Sequence, residues 1–173
     1  MDKPLKGVRV VELSIFVAAP VCARLLADLG AEVIKVEHPN GDGWRYRALN
    51  YKGEVYTEAH NPVFDVYNSG KKHVALDLKS EDGMAAMHKL LETADVFLTN
   101  TRPAALERLG LGYEQLKEKY PSLIYAIILG YGAGAFASIL GNCLQGLAGV
   151  VGSVLLFAAL KASSAIRIFQ NHK

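Results

Sequence analysis

Two short segments place amides, a cation and small residues just ahead of a proline. Phe16-Val17-Ala18 precedes Pro20, and Asn100-Thr101-Arg102 precedes Pro103. Proline suits the first turn of a helix, where its missing N–H costs no hydrogen bond. Each segment therefore leads into a helix N-terminus, whose free N–H groups attract anions. Arg102 adds a guanidinium group matched to phosphate. A phosphate-bearing ligand with an aromatic base would use both, the base taking apolar contact beside backbone hydrogen bonds. Taken singly, Arg102 and Arg108 read equally well as surface charges flanking a short helix. Asn100 alone could cap the turn after it. Lys79, at a strand end, reads as solvent-facing, and Lys71 and Lys72, before a strand, as a solvated edge. The spaced set carries the phosphate reading, not any one residue.

Other chemistries find less support. Gly130-Tyr-Gly-Ala-Gly-Ala135 satisfies a loose Gly-x-Gly-x-x-Ala pattern after a strand. No acid follows at the distance a dinucleotide's ribose needs, so NAD is rejected. A P-loop is absent. Cys22 and Cys143 fit no metal-ligand spacing, and no metal is expected. Cys143 has no base near it in sequence and reads as a packing residue.

The elements that must position the two segments alternate. Residues 8–13 read as a buried strand, and a helix follows from Pro20, with Val21, Leu25, Leu26 and Leu29 at helical spacing and Gly30 as its stop. Residues 32–37 give a second strand, completing a βαβ unit that implies a parallel sheet with a right-handed crossover. Residues 39–63, rich in Gly, Pro and Asn, read as a long loop. Strands are expected at 74–78, 95–98 and 123–129. Helices are expected from Ser80 as N-cap, from Pro103 to Leu109, and over 113–120. This alternation predicts an open α/β sheet with ligands at the carboxyl ends of its strands.

Composition sets the bounds. The 173 residues, 51% hydrophobic and 21% charged, support one domain with a core. A net charge of +2 without any Lys/Arg block argues against nucleic acid as a partner. The cysteine usage and the absence of an apolar stretch behind Met1-Asp2-Lys3-Pro4 suit a reduced, cytoplasmic protein. All 17 Asp and Glu lie between Asp2 and Glu118, and residues 123–160 carry no charge. Residues 143–160 are long enough for a membrane span. The soluble βαβ pattern before them favours a buried helix after a Gly-rich loop, so no membrane partner is expected.

Several segments resemble class III CoA-transferases. They are Gly7-Val-Arg-Val-Val-Glu-Leu13, Ala18-Ala-Pro20, Leu26-Ala-Asp-Leu-Gly-Ala-Glu-Val-Ile-Lys-Val-Glu37, Asn68-Ser-Gly-Lys-Lys-His-Val-Ala-Leu-Asp-Leu78 and Ala94-Asp-Val-Phe-Leu-Thr-Asn-Thr-Arg-Pro-Ala-Ala-Leu-Glu-Arg-Leu-Gly110. Gly112-Tyr113, Tyr120-Pro-Ser-Leu-Ile-Tyr-Ala126 and Gly130-Tyr-Gly132 complete the series through residues 5–132. Within the family, 2-hydroxyacyl-CoA and aryl-lactate CoA-transferases are the most similar. The resemblance implies coenzyme A or acyl-CoA as substrate, a carboxylic acid as the second substrate, and interlocked homodimers. Carried over motif by motif, it implies coenzyme contacts at Val17, Ala18, His38, Leu76, Lys79, Asn100, Thr101, Arg102, Ala105 and Arg108. His38 stands where the family often has Arg, which weakens a phosphate contact at neutral pH.

The resemblance also implies an Asp nucleophile some tens of residues beyond Gly130-Tyr-Gly132. The carboxylate attacks the acyl-CoA thioester, forms a mixed anhydride and then carries CoA as an aspartyl thioester. No Gly-Phe-Asp-like segment follows here, and no catalytic residue is assigned. Residues 138–160 faintly resemble a later family segment, with Asn142 at its Asp, as if the stretch carrying the nucleophile were lost. Family members are more than twice this length.

The expected fold is thus a Rossmann-like open parallel α/β sheet with flanking helices, truncated. Residues 1–132 form the CoA-binding domain, and residues 133–173 a divergent Gly-rich apolar segment with a terminal helix. The expected activity is CoA transfer, the chain alone being inactive. One rival is a non-catalytic CoA-binding fragment. Another is an acyl-CoA racemase, which needs a His/Asp pair near the thioester. None of His38, His60, His73, His88 and His172 matches the expected place for it.

Overall fold

The computed structural model describes residues 3–47, 52–56 and 61–128. The expected Gly-rich segment, Asn142, Cys143 and the Gly130-Tyr-Gly132 turn lie outside the described residues, as does His60.

β1 (Arg9–Leu13) is buried along its middle, as its β-branched run requires of a strand covered on both faces. α1 (Ala18–Asp28) follows and begins two residues ahead of Pro20, which still falls in its first turn. The helix stops at Gly30, whose φ of +105° is open to glycine and rarely to other residues. Ala31 N–H then donates to the Leu26 carbonyl at 3.0 Å, closing the last turn. β2 (Glu32–Glu37) completes the βαβ unit.

The stretch expected as one long loop, residues 39–63, holds one helix and the first two residues of another. α2 (Trp44–Arg47) is a single turn. α3 (Pro62–Asn68) is capped by Asn61, whose Oδ1 accepts from Phe64 N–H at 3.0 Å. An Asn-Pro pair suits an N-cap followed by the N1 residue. β3 (Lys72–Ala75) begins two residues earlier than expected. α4 (Glu81–Leu91) has the expected cap, Gly83 N–H donating to Ser80 Oγ at 3.0 Å. A Cβ on Gly83 would lie 2.0 Å from the Asp77 carbonyl oxygen, so only glycine fits this first turn. β4 (Val96–Thr99), α5 (Pro103–Arg108), α6 (Tyr113–Lys119) and β5 (Ile124–Ile127) follow.

The five strands form one sheet in the order β3-β2-β1-β4-β5, every pair parallel. This confirms the Rossmann-like reading. The core has two layers. On one face Ala19, Cys22, Ala23 and Leu26 of α1 pack on Val10, Val33, Val96 and Leu98. On the other, Met87 and Leu91 of α4, Leu106 of α5 and Leu116 of α6 pack on Val11, Val36 and Phe97. Each fully buried Leu of this kind stabilises by about 1.5–3 kcal/mol. Among the described residues no helix is long and apolar enough to cross a membrane.

Candidate functional site

β1 is the topological switch point. The chain leaves it toward β2 on one side, while β4 pairs on its other side. Open parallel sheets of this order bind ligands in the crevice between such diverging loops. Here the crevice lies between residues 14–17 after β1 and 100–102 after β4.

The two loops are joined directly. Leu13 is in register with Thr99, and Thr99 Oγ1 donates to the Leu13 carbonyl at 2.7 Å. Ile15 N–H donates to Asn100 Oδ1 at 3.1 Å, and Asn100 Nδ2 returns to the Ile15 carbonyl at 2.7 Å. Thr101 N–H donates to Thr99 Oγ1 at 3.0 Å. A cavity of about 130 Å³ opens there, lined by Ser14, Ile15, His38, Asp42 and Thr101 among others. A second, of about 300 Å³, lies over the ends of β2 and β3 and is lined by His38, Pro39, Arg45, Tyr46, His73 and Ala75. His38 lines both, so the two cavities adjoin.

The helix starts differ in a way that bears on ligands. α3 and α4 are capped by Asn61 and Ser80. α1 opens at Val17 with no side-chain cap, and α5 opens at Arg102 likewise. Free N–H groups in a helix's first turn need water, a side chain or a ligand. α6 also opens without a side-chain cap, at Gly112. What sets α1 and α5 apart is that their uncapped starts lie on the two strand-tip loops.

Val17, Ala18, His38, Asn100, Thr101 and Arg102 thus gather at the tips of β1, β2 and β4. Ala18 is buried, Val17, Asn100 and Thr101 are half-buried, and His38 and Arg102 are exposed. The side chain of Asn100 is engaged with Ile15, which leaves its role as loop fastener plain. Leu76 and Lys79 follow β3, on the far side of β2. Leu76 N–H donates to the Glu37 carbonyl at 2.9 Å, while Lys79 is exposed. Ala105 lies within α5. Arg108 ends that helix, a full α5 length from Arg102, roughly 9 Å at the usual rise.

Beneath the crevice lies a buried ionic network that the sequence reading missed. Lys35 Nζ sits 3.3 Å from Glu12 Oε1 and 3.2 Å from Asp42 Oδ2, and Lys71 Nζ sits 2.8 Å from Glu12 Oε2. All four side chains are fully buried. Lys71 is therefore no solvated edge. Its neighbour Lys72 is one, with 71% of its side chain exposed. The available signal was a charge set between apolar residues inside each of two strands, Glu12 between Val11 and Leu13 in β1 and Lys35 between Ile34 and Val36 in β2. Burial pushes the Lys71 amine down to about 8, against the upward pull of Glu12.

A second cluster adjoins it. Arg45 makes two hydrogen bonds to Glu37, both at 2.8 Å, and His73 Nδ1 lies 2.7 Å from Glu37 Oε1. Burial works against the Glu37 charge, but the bonds from Arg45 and His73 outweigh it and hold the carboxyl well below the usual carboxylate range. Asp42 links the clusters, its N–H donating to Glu37 Oε2 at 3.0 Å. Among the described residues no group of three or more His, Cys, Asp or Glu could hold a metal ion.

A family model described as CoA-transferase family III matches residues 5–152. The chain belongs to CoA-transferase family III. It is 51% identical over 128 residues to the (R)-2-hydroxy-4-methylpentanoate CoA-transferase of Clostridioides difficile, covering 74% of this chain and 32% of that one. It is 50% identical over 126 residues to the cinnamoyl-CoA:phenyllactate CoA-transferase of Clostridium sporogenes, covering 73% of this chain and 30% of that one. The crystal structure of a CAIB/BAIF family protein from Brucella suis matches with a TM-score of 0.66 at 37% identity, covering 76% of this chain and 34% of that chain. The chain thus spans about a third of the length of these family III relatives.

Proposed function

We propose that this chain supplies the coenzyme-binding part of a family III CoA-transferase, moving CoA between an acyl-CoA and a carboxylic acid, in the first instance a 2-hydroxy acid. The observation that carries the reading is the pair of uncapped helix starts, at Val17 and Arg102, on loops fastened together by Asn100. Free N–H groups and a guanidinium suit the phosphates of CoA. The cavities shared by His38 would take the rest of the nucleotide. The 2-hydroxy acid reading rests on what the two clostridial relatives are named for.

In the proposed reaction an Asp carboxylate attacks the thioester carbonyl and expels CoA as thiolate, leaving an acyl-aspartyl anhydride. The thiolate then attacks the aspartyl carbonyl and releases the first acid, giving aspartyl-CoA, which the second acid attacks in turn. Glu12, Glu37 and Asp42, the carboxylates nearest the crevice, are buried and ion-paired, which suits none of them to this role. No carboxylate follows Glu118 in the sequence. Both observations favour a second reading for the 173 residues by themselves, a CoA-binding unit without the nucleophile.

Calorimetric titration with CoA, followed by a transfer assay with hydroxylamine trapping, separates these readings. Binding with a trappable acyl intermediate supports transfer by this chain. Binding without one supports the second reading. No binding by folded protein overturns both. Assembly as a homodimer, as the resemblance implies, is tested by sedimentation of the same sample.

A further inference from the structure

The segment from the end of β1 into the first turn of α1, residues 14–20, has its backbone held by side chains from four other segments. Lys35 Nζ donates to the Ser14 carbonyl at 2.8 Å. Asn100 takes both backbone groups of Ile15. Asp42 Oδ1 accepts from Phe16 N–H at 3.4 Å. Lys71 Nζ donates to the Pro20 carbonyl at 2.9 Å, and to Asn68 Oδ1 at 3.1 Å.

Phe16 lies at φ +65°, and it alone among the described non-glycine residues has positive φ. A bulky residue takes that conformation only where its surroundings over-determine it. The surroundings here are specific. The Phe16 ring meets Trp44 edge-on at 6.0 Å between centroids, and a Cβ on Gly43 would lie 2.9 Å from the ring. The backbone on either side is fixed by the contacts above.

The charges that make this grip need an account of their own. Two lysines and two carboxylates, all fully buried, form one network. Well-packed apolar side chains of similar volume are commonly as stabilising as a buried ion network, or more so. Stability alone therefore explains the four charges poorly. Their attachment to this segment explains them better, because each lysine pairs with a carboxylate and also donates to a backbone carbonyl, Ser14 in the loop for Lys35 and Pro20 in the first turn of α1 for Lys71.

We propose that Lys71 and Lys35 are positioning residues of the coenzyme site, holding residues 14–20 with Phe16 left-handed so that the uncapped first turn of α1 is preformed. Preforming the turn removes an ordering cost from binding. The ligand in this inference rests on the coenzyme reading above, whereas the loop geometry does not.

The test uses the full chain, Lys71→Met, and the double variant Lys71→Met/Glu12→Gln, which removes the buried negative charge that Lys71 offsets and leaves Lys35 paired with Asp42. Amide hydrogen exchange is read residue by residue, and CoA dissociation constants are measured alongside. The expected result in the double variant is exchange at least tenfold faster at Ile15 and Phe16, wild-type protection retained in β4 and α4, and CoA binding at least tenfold weaker. Faster exchange spread evenly over the sheet, with CoA affinity following only the folded fraction, would overturn the proposal, as would an unchanged loop. A wild-type chain that binds no CoA overturns the ligand assignment instead, and the exchange data then decide the loop claim independently.

Discussion

Asn100 bonds both the N–H and the carbonyl of Ile15, 85 residues earlier in the chain, and so makes the β1 and β4 tips one unit. Each such bond contributes about 0.5–1.5 kcal/mol net. Asn100→Ala is expected to destabilise by about 1–3 kcal/mol in urea titrations. Its CoA affinity is expected to fall further than Arg108→Ala's, because Arg108 lies at the far end of α5.

Removing one buried charge should cost far more than removing an exposed one. Lys35→Met leaves Glu12 and Asp42 buried without their shared cation and is expected to cost about 3–5 kcal/mol. Lys72→Met breaks a mostly exposed pair with Glu32 and is expected to cost under about 1 kcal/mol. Urea midpoints of the two variants give the comparison.

The two perturbed groups of the network predict opposite limbs of the pH profile. The Glu37 carboxyl is held low in the fold, so the unfolded chain takes up its proton first as pH falls. The stability contributed by Glu37 is full above about pH 4.5, the ordinary value, and is lost in acid. Lys71, at about 8, is neutral in the fold while an unfolded lysine keeps its proton up to about 10.5. Unfolding in that window takes up a proton, so stability from this group rises between pH 8 and 10.5. Melting curves of wild type and Lys71→Met across pH 3–10 should differ in the alkaline limb, and Arg45→Ala should lose part of the acid-labile stability.

Gly83→Ala decides between two effects of opposite sign. Alanine in a helix is favoured over glycine by up to about 1 kcal/mol. A Cβ only 2.0 Å from the Asp77 carbonyl oxygen forces the capping turn apart, typically at about 1–3 kcal/mol. Net destabilisation is expected, read as a lowered melting temperature.

The frame of the fold was legible because its signals are local. Pro20, Gly30, Ser80 and Pro103 each mark a helix end by their own backbone chemistry, and the apolar runs between them follow. α3 is not legible because Asn61-Pro62 closes a stretch rich in Gly and Asn, so its cap resembles one more turn, and the short run 64–68 after it carries no signal of its own. Lys71 looked solvated because a strand's edge says nothing of what lies across the sheet. Its partners Glu12 and Pro20 are more than 50 residues away in sequence. Lys35 was hidden by the alternation of β2, which is buried on both faces here. The strand-tip residues Val17, Ala18, Thr101 and Arg102 come together because β4 pairs with β1, a neighbour relation that the βαβ pattern alone does not fix.

Where CoA touches this chain is the most direct test of the strand-tip site. Amide chemical shifts of the labelled 173-residue chain, followed during titration with CoA, read this residue by residue. The expected result is saturable shifts concentrated at Val17, Ala18, His38, Thr101 and Arg102. Shifts confined to another surface, such as the cavity beside Tyr113 and Tyr125, or none from a folded chain at millimolar CoA, would contradict it.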